Sequence, residues 1–355
     1  MAAARPHVLI ACDERVRNNY FSATEIARLE TFADWSWFEC EGGGIYESKD
    51  DPEKSAALAG RLGEVAAVVV CHGAPRLDAA LMDQAPRLKI VGELEGDRFA
   101  ARIDLDAAWA RGVRVVDTTN GSSYPVSEWA LGLILISLKQ AGAHFRRIIA
   151  GHTQRDPELV AKMSGVLQGK RVGLIGCGHM GRRLIKLLRP FETEIWVCDP
   201  YLPREMAEVV GFVQTSLDNV LSQCDVVVCV APLTPATEGM LGAREFGLLR
   251  PGSVFVNVSR GKIVDSQALI ERLKKGDIAA GIEAFDPEPF PPDSEILQLE
   301  NAFLSPHFGA LSGAARRPEF FGLMVDDLER FFHGHETWYD LTPRSQANRT
   351  GGAPI

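Results

Sequence analysis

No apolar run in this sequence of 355 residues is long enough to span a membrane, and basic residues are not in excess. A membrane-spanning helix needs about 20 consecutive, mostly apolar residues. The first apolar run, within MAAARPHVLIACD, is too short for a signal peptide and predicts a strand instead. The formal net charge of −9 argues against non-specific binding to nucleic acids or to anionic membranes. We therefore expect neither a membrane nor a nucleic acid among the partners.

Paired cysteine motifs are also missing. The chain has seven cysteines, an odd number, and no C-x-x-C spacing. Most of them lie in or beside apolar runs, where cysteine commonly serves as a small core residue. This usage predicts a reduced, cytoplasmic protein without a structural metal. Cys177 lies within a glycine-rich turn, where packing is the simpler interpretation and an oxidisable thiol is the alternative.

The most informative stretch of the chain is a glycine-rich turn between two strand signals. A short apolar run at residues 172–175 leads into Gly176, Gly178 and Gly181, and apolar residues at helical spacing follow. A second apolar run then ends at Asp199, about 20 residues after the last glycine, as in dinucleotide-binding βαβ units. The glycines alone would suit a turn in any α/β protein, but the full strand–turn–helix–strand context favours dinucleotide binding.

Each residue of this turn has a physical role in binding a dinucleotide. Gly176 permits a tight turn, Gly178 has no side chain to block the pyrophosphate, and Gly181 lets the helix pack close to the strand. The N–H groups and partial positive charge of the helix N-terminus attract the phosphates. Asp199 can accept hydrogen bonds from the ribose hydroxyls and would repel a 2′-phosphate. The pattern therefore predicts NAD as the cofactor, in preference to NADP.

Short apolar runs alternate with helical stretches along the rest of the chain, which indicates parallel sheets covered on both faces. Five strands precede the glycine turn, at residues 7–12, 35–40, 65–71, 88–94 and 113–119, with helices at 22–33, 52–62, 77–84 and 105–111. Later strands are predicted at residues 195–197, 224–234, 254–261, 278–289 and 301–309, and helices at 266–275 and 316–332. A single long apolar helix is predicted at 122–149, a loop at 151–169, and an extended or disordered polar tail from about residue 342.

Three ionisable residues follow strand signals in the second half of the chain. Arg260 lies in NVSRG, Glu288 in DPEP and His307 in SPHFG. Ligands of open α/β sheets bind beyond the carboxyl ends of the strands. A doubly wound sheet would therefore bring the three residues to one crevice. Taken singly, each has a plainer interpretation, as a surface arginine, one more acid in an acidic loop, and a loop histidine.

Together with GCGHMG, these motifs resemble those of the NAD-dependent D-isomer-specific 2-hydroxyacid dehydrogenase family, which includes phosphoglycerate dehydrogenases and hydroxypyruvate reductases. The resemblance covers roughly residues 88 to 330 and includes RIDLDAAWARGVRVVDT, PVSEWALGLIL and APLTPAT. It implies hydride transfer between NAD(H) and a small D-2-hydroxy acid or 2-keto acid. The expected architecture is α/β, with two doubly wound parallel-sheet domains, a Rossmann nucleotide domain being inserted in a flavodoxin-like substrate domain.

Because five strands are predicted before the glycine turn, we expect them to form a domain of their own, separate from the nucleotide domain. We expect a substrate domain at residues 1–120 and 313–340, an NAD-binding domain at 121–312, and a polar tail at 341–355. The apolar helix and the loop after it, supported by the family resemblance, predict a homodimer through the nucleotide domains.

The resemblance also implies roles for individual residues. Arg260 would hold the carboxylate and the C2 oxygen of a 2-keto acid, a task that suits a guanidinium fork. His307 would give a proton to the C2 oxygen in reduction and take it back in oxidation, and Glu288 would hydrogen-bond His307 and fix its tautomer. The expected substrate contacts are Gly96, Arg98 and Arg260. The expected cofactor contacts are Gly176, Gly178, His179, Met180, Gly181, Asp199, Ala231, Pro232, Thr237, Ser259, Arg260, Glu283 and His307.

The sequence departs from the family pattern at two places. These departures leave open which substrate is bound and how the nicotinamide ring is held. The family usually has Asp, which helps to hold the nicotinamide carboxamide, where this chain has Glu283. A glutamate is one methylene longer, so the ring would sit differently or be held in another way. The loop at residues 93–105 also differs from the usual substrate loop, and Arg98 is either a substrate contact or a solvated loop charge.

Other functions remain open within the same fold. The C-terminal binding proteins resemble this family and act as transcriptional corepressors, so an NAD(H)-sensing interaction protein is one alternative. A phosphite-type dehydrogenase, which shares the arginine, glutamate and histidine set, is another. Turnover of 2-keto acids with NADH separates the leading hypothesis from the first alternative.

Overall fold

A computed structural model describes residues 5–41, 51–96, 99–311 and 319–350. The chain divides into two compact units. The first comprises Met1–Ser122 and Leu311–Ile355, and the second comprises Ser123–Ala310.

The first unit begins with five parallel strands that alternate with helices. The strands are β1 (His7–Asp13), β2 (Asp34–Cys40), β3 (Ala67–Val70), β4 (Ile90–Glu93) and β5 (Arg114–Asp117). The helices are α1 (Glu14–Tyr20), α2 (Ala23–Phe32), α3 (Pro52–Ala59), α4 (Ala79–Asp83) and α5 (Leu105–Ala110). The strands lie in the order β2-β1-β3-β4-β5, and each pair is parallel. This is the flavodoxin-like order that the sequence predicts.

Local sequence explains where these five helices start. Each follows an Asp or a Ser whose side chain accepts a backbone N–H of the first turn. Such a cap satisfies a donor that has no partner within the helix and stabilises it by about 1 kcal/mol. The helices α3, α4 and α5 pack on one face of the sheet. Along β1, Leu9 and Ala11 face them, whereas Val8, Ile10 and Cys12 face α1 and α2.

The second unit is built on seven parallel strands. They are β6 (Arg171–Ile175), β7 (Glu194–Cys198), β8 (Val213–Gln214), β9 (Val226–Cys229), β10 (Val254–Asn257), β11 (Ala279–Ile282) and β12 (Ala302–Leu304). Its helices are α6 (Ser123–Leu138), α7 (Ala141–Ile149), α8 (Pro157–Ala161), α9 (His179–Leu188), α10 (Glu205–Val210), α11 (Leu217–Gln223), α12 (Ala243–Leu248) and α13 (Ser266–Lys274). Short 3-10 helices of the chain lie at Thr119–Ser122, Arg189–Phe191, Gly261–Ile263 and Glu295–Gln298.

The order of these strands is β12-β11-β10-β9-β6-β7-β8. The chain therefore winds first to one side of β6 and then to the other, as in doubly wound dinucleotide-binding sheets. The helices α6 and α9 pack on one face, and α11, α12 and α13 pack on the other. The predicted fold class, two parallel-sheet α/β units with a Rossmann-type sheet in the second, is confirmed.

The chain then returns to the first unit as α14 (Phe320–Phe332) and α15 (Pro343–Thr350). Phe321 and Met324 of α14 join the core that also contains Leu29 of α2. The predicted helix start at residue 316 and the predicted domain boundary at residue 313 lie outside the described residues.

The prediction of a single helix at residues 122–149 is wrong. The chain breaks between α6 and α7 at Gln140, which is buried and has a left-handed backbone with φ 51°. The Ser164 N–H donates to the Leu138 carbonyl at 2.9 Å, so a loop satisfies the end of α6 instead of a further helical turn. Gly142 then approaches Phe303 so closely that an added Cβ would lie 2.5 Å from its ring. Tertiary packing therefore sets the break, although the apolar pattern runs through it.

Two segments that were expected to be irregular contain helices. The loop predicted at 151–169 holds α8, which Asp156 caps and which has Pro157 in its first turn. The tail predicted to be extended or disordered from residue 342 instead forms α15 with a proline at its start. The Gln346 N–H donates to the Thr342 carbonyl at 3.1 Å at the beginning of this helix.

All seven cysteines are free, and six of them are buried. Burial raises the pKa of the Cys177 thiol to about 11. A buried thiol that stays protonated at neutral pH is a poor nucleophile, so packing accounts for this cysteine better than oxidation does.

Across the described stretches, no helix is both long enough and apolar enough to cross a lipid bilayer.

Candidate active site

The carboxyl ends of six neighbouring strands of the second unit form one continuous edge. Strand pairing aligns Leu304, Ile282, Asn257, Cys229, Ile175 and Cys198 in a single row across β12, β11, β10, β9, β6 and β7. Adjacent strands are spaced by about 4.8 Å, so this edge is roughly 24 Å long. The residues that follow the row, from the His307 loop at one end to Asp199 at the other, therefore lie along the same edge.

The glycine turn lies at the point where the winding direction reverses, between β6 and β9. Gly176 has φ 91°, and an added Cβ would lie 2.8 Å from Ala231 Cα. An added Cβ on Gly181 would lie 3.1 Å from the Gly176 carbonyl oxygen. Gly178 occupies the N-cap position of α9 and has no side chain to cover the helix N-terminus. Gly176 therefore requires glycine, Gly181 leaves little room for a larger residue, and Gly178 adds no side chain at the start of α9, which suits an anionic group.

The carboxylate of Asp199 is fixed beside this turn. One oxygen accepts the Cys177 N–H at 2.8 Å and the other accepts the Tyr201 N–H at 2.9 Å. The residue is only half buried, and a carboxylate has about four acceptor positions, so capacity remains for hydroxyl donors. The uncovered helix start and this oriented carboxylate fit the pyrophosphate and the ribose of a dinucleotide.

The turns after β9 and β10 line the middle of the edge. Thr237 Oγ1 donates to the Pro232 carbonyl at 2.7 Å and accepts the Thr234 N–H at 2.8 Å, which closes the turn after β9. Ser259 Oγ donates to the Ala231 carbonyl and ties the two turns together. Two further predicted cofactor residues, His179 and Met180, lie in the first turn of α9.

Arg260 follows β10 on a turn that packs tightly against the next loop. An added Cβ on Gly261 would lie 2.1 Å from the Phe285 carbonyl carbon, so only glycine fits. The amide of the buried Asn257 donates to the carbonyls of Arg260 and Ala284, at 3.2 and 3.0 Å. The guanidinium of Arg260 donates to the Ser259 carbonyl at 2.8 Å. Asn257 and Gly261 thus hold the arginine turn on the loop that leads to Glu288.

His307 and Glu288 form a short hydrogen bond. Nδ1 of His307 lies 2.5 Å from Oε1 of Glu288, and the two side chains are 23% and 39% exposed. His307 has a left-handed backbone with φ 51°. Because Nδ1 faces the carboxylate, Nε2 is the ring nitrogen left for a substrate. A histidine held in this way has the geometry of a general acid and base.

Glu283 follows β11 and is buried, with 3% of its surface exposed. Its carboxylate accepts the Trp129 indole N–H at 2.8 Å, and it also accepts the Ser305 hydroxyl and the Gly309 N–H. The side chain is therefore engaged by three donors of its own unit.

In the first unit, Gly96 lies in the unusual loop after β4. Its N–H donates to Thr119 Oγ1 at 2.9 Å, and an added Cβ would lie 2.5 Å from the Glu93 carboxyl carbon. Glu93 and Arg102 are fully buried and form an ion pair at 2.5 Å. Burial raises the pKa of Glu93 to about 7, and the Arg102 charge opposes this shift. The loop that departs from the family pattern is therefore built on a buried ion pair. The predicted substrate contact Arg98, in the same loop, lies outside the described residues.

Several residues that hold the loops of each unit in place carry little signal in the sequence. Asn257 and Trp129 act through tertiary hydrogen bonds, and the Glu93–Arg102 pair is visible only once the loop is folded. In the sequence, Gly261 of NVSRG is the residue that indicates a tight turn at Arg260. Among the described residues, no group of three or more His, Cys, Asp and Glu side chains is arranged to hold a metal ion.

Comparisons with known proteins support the family resemblance that the sequence motifs indicate. A family model described as "D-isomer specific 2-hydroxyacid dehydrogenase, NAD binding domain" matches residues 131–309. A D-3-phosphoglycerate dehydrogenase of Archaeoglobus fulgidus is 31% identical over 250 residues, covering 70% of this chain and 46% of the relative. A glyoxylate reductase of Thermococcus gammatolerans is 32% identical over 254 residues, covering 68% of this chain and 72% of the relative.

The chain spans about half the length of the phosphoglycerate dehydrogenases that it matches. Among solved structures, a phosphoglycerate oxidoreductase from Rhizobium etli has a TM-score of 0.78 with 24% identity, covering 95% of this chain and 98% of the other. At this identity, the structural likeness supports the fold alone.

Proposed function

Because this chain belongs to the D-isomer specific 2-hydroxyacid dehydrogenase family, we propose that it is an NAD-dependent oxidoreductase acting on a small D-2-hydroxy acid and the matching 2-keto acid. The observation that carries this proposal is the 2.5 Å hydrogen bond between His307 and Glu288, on the strand-end edge that also holds the glycine turn. Consumption of NADH with a panel of 2-keto acids tests it.

The second unit supplies the residues that would hold NAD. The uncovered start of α9 after Gly178 would take the pyrophosphate, and Asp199 would accept the hydroxyls of the adenosine ribose. Ala231, Pro232 and Ser259 would line the nicotinamide side of the edge, since they follow the neighbouring strands β9 and β10. When bound, the cofactor supplies the hydride that reduces C2 of the keto acid.

His307 and Glu288 would handle the proton. In reduction, His307 gives a proton from Nε2 to the C2 oxygen, and in oxidation it takes the proton back. Glu288 accepts a hydrogen bond from Nδ1, which keeps Nε2 directed away from the loop.

Arg260 would bind the substrate. Its guanidinium is planar and keeps its charge, so it can hold a carboxylate through two parallel hydrogen bonds and also reach the C2 oxygen. Its turn is fixed by Asn257 and Gly261, so the side chain starts from a defined position. In the first unit, we propose that Gly96 and Arg98 also contact the substrate. The substrate panel therefore includes glyoxylate, hydroxypyruvate and phosphohydroxypyruvate.

Asp199 should set the preference for NADH over NADPH. Replacing Asp199 by Ser removes the negative charge that repels a 2′-phosphate while keeping a hydroxyl for the ribose. We expect the ratio of kcat/KM values for NADH and NADPH to fall by about tenfold or more, equivalent to about 1.4 kcal/mol. The measurement is steady-state reduction of one keto acid with each cofactor.

The matched control is Asp225→Ser. Asp225 immediately precedes β9 at the opposite end of the same sheet, where its carboxylate accepts the Arg171 N–H at 2.9 Å. Its loss should leave the cofactor ratio unchanged. If the wild-type enzyme already uses NADPH as well as NADH, this role of Asp199 is wrong.

We also propose a homodimer formed through the helices α6 and α7 of the second unit. On α7, Phe145, Ile148 and Ile149 are 61%, 55% and 86% exposed in the single chain. Large apolar side chains grouped on one helix typically mark an interaction surface. Light scattering should give twice the chain mass at micromolar concentration, and Ile149→Glu should shift the mass toward that of one chain. A wild-type mass of a single chain would contradict the proposal.

A further inference from the structure

We propose that Glu283 is a positioning residue that clamps the loop bearing His307, so that its carboxylate serves the acid–base pair instead of holding the nicotinamide carboxamide directly. The inference rests on the proposed function, because it assigns Glu283 a part in the same site. It concerns only contacts within the second unit.

The carboxylate of Glu283 joins its own loop after β11 to two other segments of that unit. Oε2 accepts the indole N–H of Trp129, in α6, at 2.8 Å, and it also accepts the hydroxyl of Ser305. Oε1 accepts the backbone N–H of Gly309. The Trp129 indole N–H also lies 3.0 Å from Ser305 Oγ. One buried side chain therefore ties a helix to both ends of the segment from Ser305 to Gly309.

His307 is the central residue of this segment. Its φ of 51° lies in the left-handed region, which a residue with a side chain adopts only when its surroundings enforce it. The loop is held at Ser305 before His307 and at Gly309 after it. The hydrogen bond from His307 to Glu288 requires the ring to stay in one place. Glu283 is thus the group that fixes the backbone from which the histidine ring extends.

The neighbouring residues are adapted to this clamp. An added Cβ on Gly309 would lie 2.9 Å from the Trp129 ring and 3.0 Å from Glu283 Oε1, so glycine is what lets the loop approach. The Phe308 ring packs on the Trp129 ring with centroids 4.9 Å apart. The indole therefore supports the loop by packing as well as by its hydrogen bond.

Chain length explains why glutamate occupies this position. An aspartate carboxylate would be withdrawn by about one C–C bond, ~1.5 Å, and could not stay within hydrogen-bonding distance of Trp129, Ser305 and Gly309 together. Glu283 as a residue is 3% exposed, and both oxygens of its carboxylate have donors, so a nicotinamide carboxamide would compete with contacts that already exist. The glutamate that replaces the family's aspartate at position 283 therefore has a different role: it holds the His307 loop.

Glu283→Asp in the full chain tests the two roles against each other. If Glu283 clamps the loop, the variant should lower kcat for keto-acid reduction by roughly 10- to 100-fold, since small displacements of a catalytic group have effects of this size. The dissociation constant of NADH, measured by fluorescence, should stay within about threefold of the wild-type value.

Glu283→Gln and Asp327→Asn complete the test. In Glu283→Gln the side-chain amide accepts hydrogen bonds with its oxygen only, so kcat of this variant should also fall. Asp327 is a buried carboxylate of the first unit that accepts the N–H groups of Trp338 and Tyr339. Its substitution should lower Tm without changing kcat of the folded enzyme, which controls for general destabilisation.

Hydrogen exchange separates a failure of the clamp from a failure of the proposed function. Peptides that cover residues 305–311 should exchange faster in Glu283→Asp than in the wild type, whether or not any keto acid is turned over. Unchanged exchange together with wild-type kcat would overturn the inference. A weakened NADH affinity at unchanged kcat would overturn it as well, because it would show that the carboxylate holds the cofactor. A wild type without keto-acid turnover would instead refute the proposed function.

Discussion

Replacing His307 by alanine is expected to lower kcat for 2-keto acid reduction by roughly 10²- to 10⁴-fold, the usual contribution of a positioned general acid. The proton for the C2 oxygen would have to come from water, which neither the loop nor Glu288 orients. NADH affinity should change little, because the glycine turn and Asp199 lie at other strands of the edge. Single-turnover and steady-state rates, together with the NADH dissociation constant, measure both effects.

Glu288→Gln is the companion variant to His307→Ala. It keeps the shape of the side chain but replaces the carboxylate that accepts the Nδ1 hydrogen bond of His307 with a weaker, neutral acceptor, so kcat for reduction should fall. His335→Ala, an exposed histidine of the first unit, is the control and should leave kcat unchanged. A His307→Ala enzyme with wild-type kcat between about pH 5 and 9 would end this mechanism, because it would show that another group carries the proton.

Arg260→Lys is expected to weaken substrate capture while leaving a positive charge in place. A hydrogen bond between charged groups contributes about 1.5–3 kcal/mol, so loss of the bidentate fork should lower kcat/KM by about 10- to 100-fold. The larger part of this change should appear in KM, because the lost contact is to the carboxylate, which does not change between the bound substrate and the transition state. Arg260→Gln, which also removes the charge, should lower kcat/KM further.

The control for Arg260 is Arg244→Lys. Arg244 lies on α12 of the same unit, is exposed, and pairs with Asp218 of α11 at 2.5 Å. Its substitution should not change kcat/KM. If Arg260→Lys bound and turned over keto acids as the wild type does, the guanidinium would have no part in substrate binding.

The strand pattern of the fold could be predicted because buried parallel strands have a strong local signal. AVVV, VVVC and VFVN each have three β-branched or aromatic residues out of four, and each forms a fully buried strand. The alternation with helices indicates parallel sheets, whereas the flavodoxin-like and Rossmann strand orders were implied by the family resemblance. The helices α1, α10, α11 and α12, each of six or seven residues, are not predicted by the pattern.

Features that depend on tertiary contacts could not be predicted. The break at Gln140 follows from packing against Phe303 and from the contact of Ser164 with Leu138, residues distant in sequence. Glu283 was predicted to contact the cofactor because the family has an acid there, yet its hydrogen bonds depend on a tryptophan in α6 and a glycine after β12. Arg260, Glu288 and His307 were found because residues after parallel strands share one edge. That shared edge could be predicted from the sequence, whereas the hydrogen-bond donors that surround Glu283 could not.

The central claim is tested most directly by incubating the purified full chain with NADH and a panel of 2-keto acids, while the absorbance of the reduced nicotinamide is followed. The proposed function predicts that NADH is oxidised with at least one keto acid, that the product is the D-2-hydroxy acid, and that His307→Ala loses this activity. Phosphite with NAD serves as the competing substrate. If NADH binds but no keto acid is reduced, and no D-2-hydroxy acid is oxidised with NAD, the protein is not a dehydrogenase of this class.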